Sequence, residues 1–448
     1  MDVNWDLIVA GGGPAGCALA AKVASTGARV LLLEKEDEPG RGLSWIVDVE
    51  STAFEAAGVP FPGDDACRPE PERAVLVSPV SGREVDLIPS PTTPIRNDIY
   101  VRQLARWARD SGAEIRTGRG VRGPLLEGDV VAGVNFTDAD GTNRNVSAPI
   151  VADCTGLVGA VRHGTPSAWG LNMDVDFFDI VVARRDVRRL DVEAAARAVQ
   201  EGLIENRVQV QGVSVHGGYS VEIYYMDLDQ GYIDILIGAK PGPGIPTPDA
   251  SFEKIFKRFP FIGEKIFGDG GAIPIRRTWD SLVGDGFLVV GDSACQVIPM
   301  HGSGTASALI AADLASKTIS RALAEKRYDR AALWDYCYSF QSGRGALLAY
   351  YYALRLHADD MTSEDIDRMI RRGVLAAEDV HSGLVPEPFD PGPGILVKKF
   401  LKGILVLPLL FGFAKAGLRA EKLMKHYQRY PARYSPEELR SWVSRLPV

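Results

Sequence analysis

Cysteine and histidine are scarce in this chain of 448 residues, which contains five cysteines and six histidines. The cysteines, at positions 17, 67, 154, 295 and 337, form no CxxC pair and do not cluster with histidines. This pattern argues against a zinc site and is typical of a protein whose thiols stay reduced inside the cell. The amino terminus, MDVNWD, lacks the basic stretch of a signal sequence, and we therefore expect a cytoplasmic protein.

An excess of positive charge is also missing, because 50 Lys and Arg stand against 58 Asp and Glu, for a net charge of −8. This balance argues against a general nucleic-acid-binding protein. The charge is uneven, since the segment from Ile395 onward holds eleven Lys and Arg and three Glu. Such a basic tail predicts an anionic surface or ligand nearby, and a solvated helix face is the alternative.

The tail also contains the segment 403–414, GILVLPLLFGFA, which carries no charge. It is too short to cross a bilayer, which needs about 20 apolar residues. Lysines 398, 399, 402 and 415 flank it, and Pro408 is expected to kink it. An interfacial helix, the mouth of a lipid tunnel and a helix packed on the body all have this pattern. Peripheral contact with the inner face of a membrane is therefore an expectation.

The first forty residues follow the order strand, glycine-rich turn, helix, strand and acid that is typical of a dinucleotide site. Residues 6–10 and 29–33 have the pattern of buried strands, and the turn between them reads Gly11-Gly-Gly-Pro-Ala-Gly16. We expect Gly11 to permit the tight turn, Gly13 to admit a pyrophosphate, and Gly16 to let the helix pack closely. The pyrophosphate is expected at the helix start, beside Pro14 and Ala15, where free N–H groups favour anions.

Glu34 ends the second predicted strand and is expected to accept hydrogen bonds from ribose hydroxyls, with Lys35 beside it in the cofactor site. An acid at this position disfavours a 2′-phosphate, so that FAD or NAD fits better than NADP. A second GxGxxG is not evident, which argues against a separate NADPH domain. The electron donor is then expected to be transiently docked NAD(P)H or a reduced protein such as ferredoxin.

The stretch 290–305, VGDSACQVIPMHGSGT, decides between the two cofactors. A predicted strand ends at Gly291-Asp292, and Pro299 precedes Gly302-Ser303-Gly304 at a predicted helix start. This order resembles the second flavin motif of the para-hydroxybenzoate-hydroxylase-like flavoproteins. The resemblance implies FAD, with Asp292 at the ribityl and pyrophosphate region and the helix start at the flavin pyrimidine. A helix N-terminus stabilises the negative charge of a reduced flavin.

Two further segments match this superfamily in part. Residues 150–156, IVADCTG, resemble its middle motif and place Gly156 at the cofactor. The predicted helix 99–111 resembles the helix that follows a flavin-contacting Arg in the superfamily. Asn97 occupies that position here, with Arg96 and Arg102 nearby, and Arg102 is the substitute in our predicted cofactor-binding set.

Within the superfamily, residues 271–275 and 285–294 resemble the geranylgeranyl reductases, which reduce isolated double bonds of prenyl chains. Two departures concern the substrate. Residues 216–224, HGGYSVEIY, carry Val221 where that branch has a Trp. Residues 39–44, PGRGLS, lack the Cys of a loop that archaeal members often have near the flavin. The resemblance therefore implies the fold and leaves the substrate open.

We predict an α/β chain with a Rossmann-like FAD-binding domain, an inserted and mostly antiparallel β-sheet substrate domain, and a C-terminal helical region. The period-two pattern of 207–215 and the apolar runs 219–225 and 232–237 predict strands of that sheet, and 241–248 a loop after it. The predicted FAD-binding domain comprises 1–75, 95–165 and 272–330. The substrate domain comprises 76–94 and 166–271, and the helical region 331–448.

Three functions remain open from the sequence. The first is reduction of carbon–carbon double bonds in a prenyl or other hydrophobic substrate, by hydride from N5 of reduced flavin. His301 and Tyr219 are its candidate proton donors. The second is a hydroxylating monooxygenase, and the third a non-catalytic flavin- or lipid-binding protein. A halogenase is disfavoured because the chain shows neither a Trp-x-Trp-x-x-Pro motif nor a convincing catalytic Lys.

Overall fold

The computed structural model describes residues 5–87, 91–376 and 406–447. The strands in these ranges are β1 (Leu7–Ala10), β2 (Val30–Leu33), β3 (Ile46–Glu50), β4 (Arg73–Val77), β5 (Glu84–Asp86), β6 (Thr92–Arg96), β7 (Glu114–Arg116), β8 (Gly120–Glu127), β9 (Val130–Thr137), β10 (Asn143–Ser147), β11 (Ile150–Asp153), β12 (Ile180–Leu190), β13 (Val208–Val213), β14 (Ser220–Asp227), β15 (Tyr232–Ala239), β16 (Ile262–Pro274), β17 (Val283–Gly284) and β18 (Phe287–Val289).

The helices in the same ranges are α1 (Pro14–Ala24), α2 (Ser51–Ala56), α3 (Asn97–Asp110), α4 (Val192–Gln200), α5 (Pro248–Arg258), α6 (Thr305–Glu325), α7 (Arg330–Phe340), α8 (Ala346–Ala358), α9 (Ser363–Arg371), α10 (Leu407–Tyr427) and α11 (Pro436–Val443). A π-helical turn at Gln341–Gly345 joins α7 to α8.

The first sheet has six strands in the order β17-β18-β11-β1-β2-β7. Strand β1 pairs in parallel with β2 and β11, and β11 pairs in parallel with β18. These strands are runs of buried apolar residues, as strands covered on both faces must be. Helix α1 packs against α3 and α6. The carboxyl ends of β1, β11 and β18 therefore lie at one edge, where α/β sheets bind ligands.

The second sheet has seven strands in the order β16-β12-β15-β14-β13-β4-β5. Its pairs are antiparallel except for β13 and β4. One face carries Ile233, Ile235 and Ile237, which pack with Phe252 and Ile255 of α5. The predicted strands at 207–215, 219–225 and 232–237 correspond to β13, β14 and β15. The fold class expected from the sequence is confirmed.

Helices α7, α8, α9, α10 and α11 follow in the C-terminal region. Trp334 stacks on Tyr430, whose ring also meets Trp442 of α11 edge-on. No helix among the residues described is long and apolar enough to cross a membrane.

The apolar segment 403–414 is described from residue 406. Val406 is buried, and Leu409, Leu410 and Phe413 pack against a cluster that includes Leu76, Leu87, Met361 and Ile366. By contrast, Phe411 is 66% exposed and Leu418 62% exposed. Pro408 lies in the first turn of α10, where a proline is tolerated, so the expected kink is wrong for the described part. Residues 403–405 and the lysines 398, 399 and 402 lie outside the described residues.

Candidate cofactor and substrate site

A cavity of about 1210 Å³ lies between the carboxyl edge of the first sheet and one face of the second. It is larger than the roughly 300–1,000 Å³ of a typical single-ligand pocket. One side is lined by residues 11–15, 33–36, 154–156, 290–292 and 301–305. The other side is lined by alternate residues of β12, β13, β14 and β15. The space thus offers room for a cofactor and a second molecule.

The three glycines of the first motif differ in their surroundings. Gly11 has φ +101°, and a Cβ there would lie 2.4 Å from the carbonyl oxygen of Cys154. A Cβ on Gly16 would lie 2.0 Å from the carbonyl oxygen of Gly11. A Cβ on Gly13 would meet nothing within 4 Å. The backbone is therefore closely packed at Gly11 and Gly16, and open to the cavity at Gly13.

The start of α1 presents free donors to this opening. Gly13 is the N-cap residue, so no side chain caps the helix, and the first turn contains no acid. Its unpaired N–H groups and the helix dipole favour an anion. Glu34 lies beside this turn, where its carboxylate accepts hydrogen bonds from the N–H of Gly12 (2.5 Å) and of Glu36 (2.9 Å). Glu34 and Lys35 both line the cavity.

Asp292 lies on the cavity wall in a short 3₁₀ turn that follows β18. Its carboxylate accepts no hydrogen bond from the residues that the structure describes. Burial raises the pKa of Asp292 from 3.8 to about 6. Helix α6 begins at Thr305 with the uncapped N-cap residue Gly304, whose Cβ would lie 3.1 Å from Asp292 Oδ1. An acceptor and a second set of free helix N–H groups therefore face the same space.

Three buried polar atoms in residues that line the cavity have no hydrogen-bond partner in the described chain: Asn97 Oδ1, Trp45 Nε1 and His301 Nε2. Buried polar atoms are rarely left unpaired in folded proteins. A ligand with both donors and acceptors would satisfy them. FAD offers a pyrophosphate for the uncapped start of α1, ribityl hydroxyls for Asp292, and ring donors and acceptors for these atoms. The residues present fit FAD.

The structure brings most of the predicted site residues together. Those lining the cavity are Gly11, Gly13, Pro14, Ala15, Glu34, Lys35, Gly156, Tyr219, Gly291, Asp292, His301, Gly302, Ser303 and Gly304. Gly16 lies behind the turn. Pro299 is buried outside the lining, and Arg102 forms ion pairs with Asp98 (3.1 Å) and Glu38 (3.6 Å) rather than lining the cavity.

His301 and Tyr219 lie close to the same loop. His301 Nδ1 accepts a long hydrogen bond (3.4 Å) from the N–H of Ser303. Burial and the charge of Arg344 lower the pKa of His301 from 6.5 to about 4, so its ring is neutral at pH 7. Burial raises the pKa of Tyr219, whose hydroxyl lies 3.6 Å from the position of a Cβ on Gly302. Both side chains face the cavity in uncharged form.

The wall formed by the second sheet is apolar over its centre. The apolar residues that line the cavity there are Val181, Ala183, Val221, Ile223, Leu236 and Gly238. They come from three adjacent strands, because Ala183 pairs with Gly238, and Gly238 with Val221. Val221 is smaller than the Trp that the resemblance places there. The wall therefore fits an apolar chain.

The sequence reasoning missed several residues of this site. Trp45 lines the cavity from the loop before β3, and no motif marked it. Arg185 also lines the cavity and binds Asp234 at 2.6 Å in a buried ion pair. Asn97 was noted only as a replacement for Arg. A lone tryptophan and a single arginine in a strand carry no local signal of this role.

Residues 6–172 match the family model described as FAD dependent oxidoreductase. The chain is an FAD-dependent oxidoreductase. This match covers α1 and four of the six strands of the first sheet, β1, β2, β7 and β11. The two uncapped helix starts agree with the expected cofactor.

The comparisons with individual proteins extend over nearly the whole oxidoreductase. A digeranylgeranylglycerophospholipid reductase of Sulfolobus acidocaldarius is 24% identical, covering 98% of this chain and 96% of the relative. A solved geranylgeranyl bacteriochlorophyll reductase-like protein from Thermoplasma acidophilum superposes with a TM-score of 0.73 at 16% identity. It covers 90% of this chain and 99% of that one.

A solved flavin-dependent brominase superposes with a TM-score of 0.63 at 16% identity, covering 89% of this chain and 99% of its own. Likeness at this level shows the shared fold. The resemblance to geranylgeranyl reductases that the motifs implied is confirmed by the relative and by the first structural match.

Proposed function

We propose that this oxidoreductase reduces carbon–carbon double bonds of a prenyl or other hydrophobic chain. The observation that carries the proposal is the single cavity whose one side is a flavin-type motif and whose other side is the apolar wall around Val221, Ile223 and Leu236. An apolar chain on that wall would face the cofactor motif across the cavity. The name of the archaeal relative supports a prenyl lipid as the substrate class.

We propose that four groups bind the cofactor. The start of α1 would bind the pyrophosphate through its free N–H groups, at the open backbone of Gly13. Glu34 would accept from the ribose while it keeps the turn at Gly12 in place. Asp292 would accept from the ribityl hydroxyls, and donors there would favour its ionised form. The start of α6 would hold the pyrimidine end of the ring.

The reaction adds a hydride to one alkene carbon and a proton to the other. When bound and reduced, FAD supplies the hydride from N5. Tyr219 and His301 are the polar side chains proposed to relay the proton, and both are uncharged at neutral pH. Because both side chains are neutral, the one that donates its proton must take up another from solvent before the next turnover. The apolar wall orients the chain and excludes water from the reacting carbons.

The proposal is tested with purified protein whose flavin has been reduced under anaerobic conditions. A geranylgeranyl lipid in detergent should reoxidise the flavin without oxygen, and mass spectrometry should show one added hydrogen molecule per double bond. Reoxidation that requires oxygen and releases peroxide would contradict the reductase and favour the monooxygenase. Flavin that no alkene reoxidises would favour the binding protein.

We also propose that α10 contacts a membrane surface peripherally. Phe411 and Leu418 are large apolar side chains that remain exposed. Lys415 lies between them on the same helix. Exposed apolar side chains next to a lysine are typical of an interfacial helix.

The electron donor is proposed to be NAD(P)H or a reduced protein.

A further inference from the structure

A second, smaller cavity lies apart from the cofactor cavity and shares none of its lining residues. Its volume is about 320 Å³, and the described residues that line it are the exposed Arg83, Arg368, Arg371 and Arg372 and the buried Val406. We refer to it as the arginine cavity. Because like charges repel, four arginines around one space favour an anion between them.

Two elements bring the arginines together. Helix α9 begins with a capping box between Thr362 and Asp365, and it buries Ile366, Met369 and Ile370. Its last turn therefore presents Arg368, Arg371 and Arg372 to the surface. Arg83 comes from the turn between β4 and β5.

Two hydrogen bonds fix that turn against the helix. Arg83 Nη1 donates to the carbonyl oxygen of Arg371 (3.3 Å), and Ser78 Oγ donates to Asp367 (2.7 Å). The separation in sequence of these partners is nearly three hundred residues, so the cavity is built by the tertiary fold.

The carboxylates nearby neutralise half of this charge. Arg368 is paired with Asp365, and Arg371 with Asp367 at 2.7 Å. Arg83 and Arg372 form no ion pair with the residues that the structure describes. The carboxyl end of α9 attracts cations, which favours arginines there, but a helix dipole amounts to only about half a charge. Within the described part of the chain, the cavity therefore keeps an excess of positive charge.

The chemistry of the walls selects the ligand. A guanidinium offers planar pairs of donors that match phosphate oxygens, which makes arginine the preferred residue for phosphate recognition. Val406 supplies one apolar wall and directly precedes α10, on which Phe411 is exposed. A phosphate beside an apolar surface is the arrangement of a phospholipid at a membrane interface.

We propose that the arginine cavity binds the phosphate group of an anionic membrane phospholipid and fixes the place where α10 meets the bilayer. The proposal rests on the proposed membrane contact of α10 and does not depend on the reaction at the cofactor, because the arginine cavity shares no lining residue with the cofactor cavity. The lipid bound there is a docking ligand and need not be the substrate.

The test compares the full chain with the double variant Arg83→Gln/Arg372→Gln in flotation with phosphatidylcholine vesicles that contain phosphatidylglycerol. We expect the variant to bind about thirtyfold more weakly, at about fivefold per arginine near an anionic leaflet. The matched control is Arg106→Gln/Arg109→Gln, which removes the same charge from the exposed side of α3. We expect the control to bind like the unmodified protein.

A second variant, Arg83→Lys/Arg372→Lys, separates a built site from general attraction. It keeps the charge and removes the paired donors, and we expect it to bind more weakly than the unmodified protein. Equal binding by the lysine variant would overturn the proposal, as would equal losses in the glutamine variant and its control.

Titration of inorganic phosphate in the calorimeter distinguishes a lipid from a soluble source. A weak phosphate isotherm that disappears in the glutamine variant supports a phosphate site. If that isotherm is lost while vesicle binding stays unchanged, the membrane source is contradicted. Thermal unfolding controls for folding, and flavin reoxidation with detergent-dispersed alkene should be unaffected by the glutamine variant.

Discussion

Arg344, in the π-helical turn, binds both carboxylate oxygens of Glu50 at the end of β3, with Nη1 2.9 Å from Oε2. The same guanidinium donates through Nε to Ser307 Oγ of α6 (3.0 Å). Its charge is also the second cause of the lowered pKa of His301. This one side chain thus ties the C-terminal helices to the cofactor wall and favours a neutral histidine there.

His301 gives stability a pH dependence. The fold favours the neutral ring. Its contribution to the free energy of unfolding is therefore complete above pH 6.5 and is lost as the pH falls through about 4. We expect the free energy of unfolding, measured with urea, to fall by on the order of a few kcal/mol between these two pH values. His301→Gln should lose less over the same interval. Identical pH profiles for the two proteins would contradict the buried neutral ring.

Asp292 is expected to lower the stability of the cofactor-free protein. Its folded pKa is raised to about 6, so the cost appears as the pH rises from 3.8 through 6. Asp292→Asn should therefore stabilise the cofactor-free protein at pH 8 and have little effect at pH 4. The same substitution should weaken FAD binding, measured by flavin fluorescence. A variant that binds FAD as tightly as the unmodified protein would show that the carboxylate does not contact it.

Gly13 and Gly16 form a matched pair. Gly13→Ala adds a methyl group to open cavity space, so we expect normal unfolding of the cofactor-free protein and much weaker FAD binding. Gly16→Ala places that group 2.0 Å from a backbone oxygen, and the protein itself should be destabilised. Thermal unfolding without flavin, followed by flavin titration, separates the two effects. Similar behaviour of both variants would be inconsistent with the different roles.

Glu34→Ala should reduce both flavin content and stability. The substitution removes the acceptor of the Gly12 and Glu36 N–H groups, which would cost about 1–3 kcal/mol for each one left buried. The control is Glu38→Ala, an exposed acid of the same loop that pairs only at 3.6 Å with Arg102. Absorbance of the purified proteins at the flavin band reports the content. Full flavin content in Glu34→Ala would argue against the ribose contact.

Val221→Trp tests the apolar wall. The larger ring should fill space beside Ile223 and Gly238, reducing alkene-dependent flavin reoxidation about tenfold or more while FAD binding persists. The matched control is Val215→Trp, on the loop after β13 and outside the cavity lining. Faster turnover in Val221→Trp would mean that the substrate chain lies elsewhere.

The sequence predicted those parts of the site that impose local backbone demands. Gly11 stands at a turn whose positive φ and close packing favour glycine, and Asp292 follows a buried strand. Trp45 could not be predicted, because its place on the wall depends on how the loop before β3 meets the second sheet. Arg102 was predicted to bind the cofactor, but it forms an ion pair with Asp98. The spacing of four residues on one helix already favoured this pair.

The strand order of the first sheet has a consequence for biosynthesis. Strand β11 ends at Asp153, and its outer neighbour β18 begins only at Phe287, after the chain has formed much of the second sheet. At typical rates of translation, β11 therefore waits on the order of ten seconds with one edge unpaired on the nascent chain. An unpaired edge of this apolar kind invites association with other chains. The ribosome-bound protein thus exposes, until β18 is made, an edge of the strand that leads into its cofactor site.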